Sequence, residues 1–122
     1  MATVALTKDN LVETIENNDV VFVDFWASWC RPCMFFGPIF EAASVEHPEI
    51  TFAKLDTEAN QDVAMALEIQ SIPTLMAYKG GKLVYREAGA LNKTQMEQLI
   101  AAVVDFDVDA AEANDAAPAA QD

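Results

Sequence analysis

Basic residues are scarce in this 122-residue chain, with seven Lys and Arg against twenty Asp and Glu and a formal charge of −13 at pH 7. Phosphate backbones are held by clustered cations, so this balance argues against nucleic acid as a partner and against an anionic membrane surface. Long hydrophobic runs are missing too. Even VVFVDFWASW, residues 20–29, is shorter than the ~20 apolar residues of a membrane helix, and Asp24 interrupts it. Residues 1–18 (MATVALTKDNLVETIENN) lack the basic start, the apolar stretch and the small-residue cleavage site of a secretory signal. A soluble, cytoplasmic protein is expected.

Histidine and cysteine are nearly absent. His47 is the only histidine, and Cys30 and Cys33 are the only cysteines. Three positions apart, the two thiols are too close to staple distant parts of a fold. Zinc wants four ligands, and with no second CxxC and a single histidine one chain cannot complete a Cys/His site, so no metal is expected. A plain pair of buried thiols and a redox dithiol remain, and a reducing compartment favours the chemical reading.

What the chain does have is apolar content, 52% hydrophobic residues, which suits one compact domain with a single core. Residues 3–7 (TVALT) read as a short strand, and residues 9–18 (DNLVETIENN) as a helix with Leu11, Val12 and Ile15 at helical spacing behind an Asp9 cap. Residues 20–27 (VVFVDFWA) lack polar alternation, Asp24 excepted, as expected of a central strand covered on both faces. From Pro32 to about His47 the pattern is helical. Pro32 falls near the first turn, where proline costs no hydrogen bond, and Pro38 falls inside, where it should kink the helix.

Residues 49–57 (EITFAKLDT) read as a third strand. Residues 60–69 (NQDVAMALEI) read as a short helix with Val63, Leu67 and the Ala and Met residues between them facing the core. TLMAYK, Gly80-Gly81 and KLVYREA together signal an antiparallel hairpin. A last amphipathic helix, capped near Asn92, turns Met96, Leu99, Ile100, Val103 and Val104 toward the sheet. The order βαβαβαββα predicts an α/β fold, a central mixed sheet flanked by helices on both faces. Residues 1–106 make up this domain. From Asp105 onward DFDVDAAEANDAAPAAQD carries six acidic residues and no base, so residues 107–122 are expected to form a disordered acidic, Ala-rich tail. That tail is either a solubilising terminus or a docking arm for a partner.

A thiolate attacks disulfides and a thiol hardly does, so a dithiol reductant needs one cysteine whose pKa is lowered toward ambient pH. A helix starting near Pro32 supplies the means. Cys30 then lies just before unpaired backbone N–H groups and the positive end of the helix dipole, with Arg31 adding a charge next door. Cys33, one turn inside, is placed to attack the mixed disulfide that Cys30 forms with a substrate. Asp24, a carboxylate in an apolar strand, has its charged form disfavoured and its pKa raised, which suits proton transfer near neutrality.

These residues carry a family likeness. VDFWASWCRPC, from Val23 to Cys33, resembles the active-site segment of the thioredoxin family, and SIPTLMAYKGG, from Ser71 to Gly81, resembles its second hallmark. The likeness spans about residues 3 to 104 and implies a thioredoxin fold and protein-disulfide exchange through a redox-active Cys30-Cys33 disulfide, with no bound cofactor. It also implies that Asp24 moves a proton to and from the resolving Cys33, that Lys54 is the buried lysine near that carboxylate, and that Pro73 is a cis-proline against the dithiol. Lys54 equally suits a lysine snorkelling to water. Ile72 would offer its backbone to an extended substrate segment, with Trp29, Arg31, Pro32, Pro73 and Gly89 around the same substrate-binding surface. Trp26 would serve as packing and Gly81 as a turn. The implied partners are protein disulfide substrates and a thioredoxin reductase that draws on NADPH, the chain itself acting as a monomer.

Two departures bear on substrate choice. The family usually carries Gly where this chain has Arg31, and a cation beside the nucleophile should stabilise the reduced thiolate and make the disulfide more oxidising. The family also tends to place a base after the second cysteine, where Met34, Phe35 and Phe36 stand instead. An oxidase or isomerase is therefore the second enzyme reading, and a thioredoxin-fold binding scaffold is the reading from a different class.

Overall fold

The long apolar run becomes the centre of the sheet. In the computed structural model, which describes residues 2–110, β2 (Val20–Trp26) is buried from Val20 to Phe25. It pairs in parallel with β3 (Thr51–Asp56) and antiparallel with β4 (Thr74–Lys79). β1 (Val4–Ala5) flanks β3 and β5 (Lys82–Ala88) flanks β4, giving the order β1-β3-β2-β4-β5. Four helices complete the chain: α1 (Leu11–Glu16), α2 (Arg31–Glu46), α3 (Gln61–Ala66) and α4 (Lys93–Asp105). This is the βαβαβαββα order and the mixed sheet expected from the sequence.

Strand alternation explains why a run without polar residues is needed in β2. Val20 and Phe22 join Phe36, Phe40 and Ala43 of α2 and Met96, Ile100 and Val103 of α4 on one face. Val21, Val23 and Phe25 meet Val63 of α3 and the half-buried Leu11 of α1 on the other. Successive strand residues point to opposite faces, so a strand covered twice must be apolar at nearly every position. On the α2 face four phenylalanines lock together. Phe52 stacks on Phe22 at 5.5 Å and meets the Phe40 ring edge-on at 5.3 Å, and Phe40 lies 5.7 Å from Phe36. Such contacts contribute about 0.5–1.5 kcal/mol each beyond area burial, and they fix α2, whose first turn carries the cysteines.

Several expectations need correction. Asn10, not Asp9, holds the N-cap of α1, and its side chain is occupied by the Thr7 N–H at 2.7 Å. Leu11 and Ile15 define the inner face of that six-residue helix, which leaves Val12, about 100° around, exposed. In α3, Val63 and Leu67 take the inner positions. Met65 lies on the opposite side in water and Ala66 is exposed as well. In α4 the stripe of Met96, Ile100 and Val103 is buried, with Leu99 packed at its edge, whereas Val104 is exposed in the last turn. The first strand shrinks to Val4 and Ala5 because only those residues pair with β3.

The ends of α4 are closed by different means. Asn92 and Gln95 form a reciprocal capping box at the N-terminus. No basic residue of the helix itself stands in its last turn, and Lys79 of β4 fills that role by donating to the carbonyls of Val103, Val104 and Phe106. We expect Lys79→Met to destabilise the fold by about 1–2 kcal/mol, since orphan C-terminal carbonyls lose a cationic donor. A urea midpoint equal to the parent's would show that these contacts add nothing in water.

Gly80 and Gly81, with φ of 60° and 81°, form the two-residue turn between the paired Lys79 and Lys82. Positive φ at both positions is what a twisted hairpin demands, so Gly81 has the turn role. α4 ends at its C-cap Phe106, and residues 108–110 form a helical turn with the Asp107 carboxylate accepting the Ala110 N–H at 3.0 Å. The remainder of the acidic tail, residues 111–122, lies outside the described residues. No helix among the described residues is long and apolar enough to cross a membrane.

Candidate active site at the start of α2

The site is assembled where β2 ends and α2 begins. Asp24 shares the strand face of Val20 and Phe22, so it points to the side covered by α2, at the end where that helix starts. It is fully buried, and neither carboxylate oxygen has a hydrogen-bond partner among the described residues. Desolvation pushes its pKa from the ordinary 3.8 up to about 7, with the Lys54 charge pulling the other way. A group with that value is half-protonated at neutral pH and exchanges a proton at little cost in either direction.

Lys54 is the direct neighbour of Asp24 in the parallel β2–β3 register. It is half-buried. Its ammonium lies 5.0 Å from the centroid of the Trp26 ring, in an open groove of about 380 Å³ lined by Trp26, Cys33, Met34, Gly37, Pro38 and Glu41. The side chain thus combines both sequence readings, with a stem against the sheet and a head that reaches an aromatic face in the groove.

Cys30 occupies the N-cap of α2, with Arg31 and Pro32 as the first helical residues, one position earlier than the pattern suggested. Cys30 and Cys33 are joined as a disulfide with their Cα atoms 5.2 Å apart. Cys30 Sγ accepts the Cys33 N–H at 3.2 Å, which is the capping contact that Ser or Asp makes at other helices. A sulfur in that position faces the helix N-terminal N–H groups, so negative charge on it is stabilised. Both cysteines are buried, Cys33 more completely than Cys30. Arg31 is exposed beside them.

The second sequence hallmark folds against the first. The Ile72–Pro73 peptide is cis, and the Ile72 carbonyl lies 3.6 Å from Cys30 Sγ. Ile72 and Trp26 pack on the buried Ala27, Cys30 and Cys33. Gly89, with φ of 115°, donates its N–H to the Pro73 carbonyl at 2.8 Å and so ties the end of β5 to this loop. Apart from Arg31, exposed side chains next to the cysteines in the chain are apolar. Trp29 is 69% exposed, Phe35 59% and Met34 47%. The structure therefore brings together the candidate site residues: Cys30, Cys33, Asp24 and Trp26 at the β2–α2 junction with Lys54 beside them on β3, and Trp29, Arg31, Pro32, Ile72, Pro73 and Gly89 around the mouth, whereas Gly81 stands apart in the hairpin turn.

Two supporting residues escaped the sequence reading. Thr57 donates its backbone N–H and its hydroxyl to the Trp26 carbonyl, at 2.9 and 3.0 Å, and closes the end of β2. The Thr74 hydroxyl donates to the Ser71 carbonyl and braces the Pro73 loop. Both threonines adjoin a strand end, but such positions are common, and only the three-dimensional arrangement gives them a partner.

A family model of thioredoxins matches residues 2–102. A thioredoxin of Alicyclobacillus acidocaldarius is 38% identical over 104 residues, covering 84% of this chain and 99% of that protein. A bifunctional thioredoxin reductase/thioredoxin of Mycobacterium leprae is 38% identical over 93 residues, 75% of this chain and 20% of that protein. Among solved structures, Plasmodium falciparum thioredoxin is similar with a TM-score of 0.74 and 33% identity, covering 80% of this chain and 96% of that one. The five-stranded sheet with its flanking helices is thus a thioredoxin fold, and the disulfide at the head of α2 is the redox-active CxxC pair of that fold. The chain belongs to the thioredoxin family, as a thiol–disulfide oxidoreductase acting through Cys30 and Cys33.

Proposed function

We propose that this oxidoreductase works as a cytoplasmic protein-disulfide reductase, with Cys30 as nucleophile, Cys33 as resolving thiol and Asp24 as the proton relay between turnovers. The observation that carries this reading is the buried Asp24 carboxylate, without a hydrogen-bond partner among the described residues and with a pKa of about 7, on the sheet face that α2 covers. Cys30 thiolate attacks one sulfur of a substrate disulfide and forms a mixed disulfide, while the other substrate sulfur leaves as a thiolate. Asp24 takes the proton of the Cys33 thiol, and the resulting thiolate attacks Cys30 Sγ. The second substrate sulfur then leaves and the Cys30–Cys33 disulfide closes. Two electrons have moved from this chain to the substrate.

A thioredoxin reductase drawing on NADPH returns those electrons. The relative in which reductase and thioredoxin form a single chain supports that partnership. Trp29, Pro32 and the Ile72–Pro73 edge with Gly89 form the substrate surface, and Met34 and Phe35 extend its apolar part. Trp26 and Lys54 line the groove beside Cys33. Residues 1–106 form the catalytic domain, which acts as a monomer, and residues 107–122 form a solubilising acidic tail.

Equilibration of the purified protein against glutathione or dithiothreitol, followed by Trp26 and Trp29 fluorescence, tests the direction of flow. A potential near roughly −270 mV fits the reductant. A value near roughly −180 mV, typical of disulfide isomerases, would overturn it in favour of an oxidase or isomerase. Arg31→Gly is expected to lower the potential by roughly 10–30 mV, because removing the cation withdraws a screened stabilisation of the thiolate, at most about 1.4 kcal/mol. An unchanged potential would mean that the exposed guanidinium is fully screened.

A further inference from the structure

The segment that carries Ile72 and Pro73 begins at a strained turn. Glu68 follows α3 with φ of 56°, in the left-handed region, the only residue other than glycine with positive φ among the described residues. An L side chain there brings Cβ too close to the following carbonyl oxygen. Backbone bonds within the turn close α3, from the Glu68 N–H to the Met65 carbonyl at 3.0 Å and from the Ile69 N–H to the Ala64 carbonyl at 2.9 Å, and they leave the Leu67 and Glu68 carbonyls beyond the helix to be held from outside. Arg86 of β5 braces this turn from the sheet. Its Nη1 donates to the Leu67 carbonyl at 2.8 Å and its Nη2 to the Glu68 carbonyl at 2.7 Å.

The strand register explains how Arg86 reaches that point. Arg86 lies opposite Met76, which faces the core under α3, so the guanidinium emerges on the face where α3 ends. From there β5 holds both ends of the same loop. Arg86 grips residues 67 and 68, and the Gly89 N–H grips the Pro73 carbonyl. Between those two anchors stands Ile72, whose carbonyl faces Cys30 Sγ.

We propose that Arg86 is a positioning residue for protein substrates: its guanidinium fork stabilises the left-handed turn at Glu68 and thereby sets the Ile72 edge against which a substrate segment lies. The assignment rests on the reading of that edge as the substrate contact. Arg86 touches neither cysteine, so it has no part in the exchange chemistry itself. A planar fork matches two adjacent carbonyls, whereas a lysine ammonium offers a single point charge.

Arg86→Met and Arg86→Lys test this, each alone and in a Glu68→Gly background. The readouts are KM and kcat for insulin reduction, the rate constant for bis(2-hydroxyethyl) disulfide, the glutathione redox potential, and hydrogen exchange at the amides of residues 69–72. Arg86→Met removes both hydrogen bonds and Arg86→Lys the fork that makes them together, and with either substitution KM for insulin is expected to rise roughly five- to tenfold. Exchange at those amides should rise in parallel. The potential, kcat and the rate with the small disulfide stay as in the parent. Glycine at position 68 removes the steric cost of the turn, so in that background the loss of Arg86 should change KM by less than about twofold.

An unchanged KM overturns the assignment, and so does a parallel fall with both disulfides, which would indicate a damaged dithiol. Equal losses with and without the Glu68→Gly substitution would also overturn it, because the fork would then not be bracing the turn. Ile72→Ala is the reference. If it raises KM for insulin and Arg86→Met does not, the role given to Arg86 is wrong. If neither raises KM, the substrate edge is misplaced and the assignment falls with it.

Discussion

Asp24→Asn is expected to make the oxidised protein more stable than the parent at pH 8, by on the order of 4 kcal/mol more than at pH 4. The parent carboxyl has its pKa raised by burial from 3.8 to about 7 in the folded protein. Between those values the native state keeps the proton that the unfolded chain has released. The unfolded state therefore binds fewer protons, and stability falls as pH rises. The loss begins near pH 4, is complete a little above pH 7 and is constant beyond. Asparagine does not titrate, so the gap between variant and parent opens over that same window and isolates this one group from every other carboxylate. Urea unfolding of both proteins at half-unit steps from pH 4 to pH 8.5 measures it. A gap that does not change with pH would mean that Asp24 is solvated, contrary to its burial without a hydrogen-bond partner among the described residues.

The same substitution should slow turnover, most of all near neutrality. An amide cannot accept the Cys33 proton, so the resolving thiolate must form by loss of its proton to water. Raising the pH supplies hydroxide and should recover part of the rate in Asp24→Asn, whereas the parent changes less. A protein made more stable and less active by one buried change is the pattern expected where a site retains a desolvated charge for its chemistry.

Much of this was legible in the chain. VVFVDFWA announced a strand covered on both faces, because no half-exposed strand tolerates six consecutive buried positions, and Asp24 stood out against that run for the same reason. Cys30 and Cys33 were legible as a helix-head dithiol because Pro32 marks a first turn and the strand before it ends abruptly. The short helices were read less well. In a six-residue helix one face holds two or three residues, so Val12, Met65 and Ala66 looked apolar enough to be core and proved exposed. Arg86 and Thr57 were invisible for a different reason. Each acts on a backbone carbonyl, and a carbonyl has no letter in the sequence. What decides their role is the register of β5 on β4 and the end of β2 against β3, both of them long-range facts.

Cys33→Ser is expected to accumulate a one-to-one mixed disulfide with a protein substrate through Cys30, while Cys30→Ser forms none and has no turnover above background. The asymmetry follows from the two positions. Cys30 is the helix cap, its sulfur receives the Cys33 N–H, and the exposed Trp29 precedes it at the mouth of the site. Cys33 is enclosed one turn inside α2, with the groove toward Lys54 on its inner side. An incoming disulfide therefore meets Cys30 first, and its negative form is the one the helix end stabilises. Serine at position 33 preserves the fold and the first attack but removes the sulfur that would expel the substrate, so the covalent complex persists. Mass spectrometry of the trapped species under non-reducing conditions identifies the sulfur involved. Trapping through Cys33 in the Cys30→Ser variant would exchange the two roles. A double Cys30→Ser, Cys33→Ser variant that retained full biological activity would instead move the protein from the oxidoreductases to the scaffolds, since a chain without either sulfur carries no electrons.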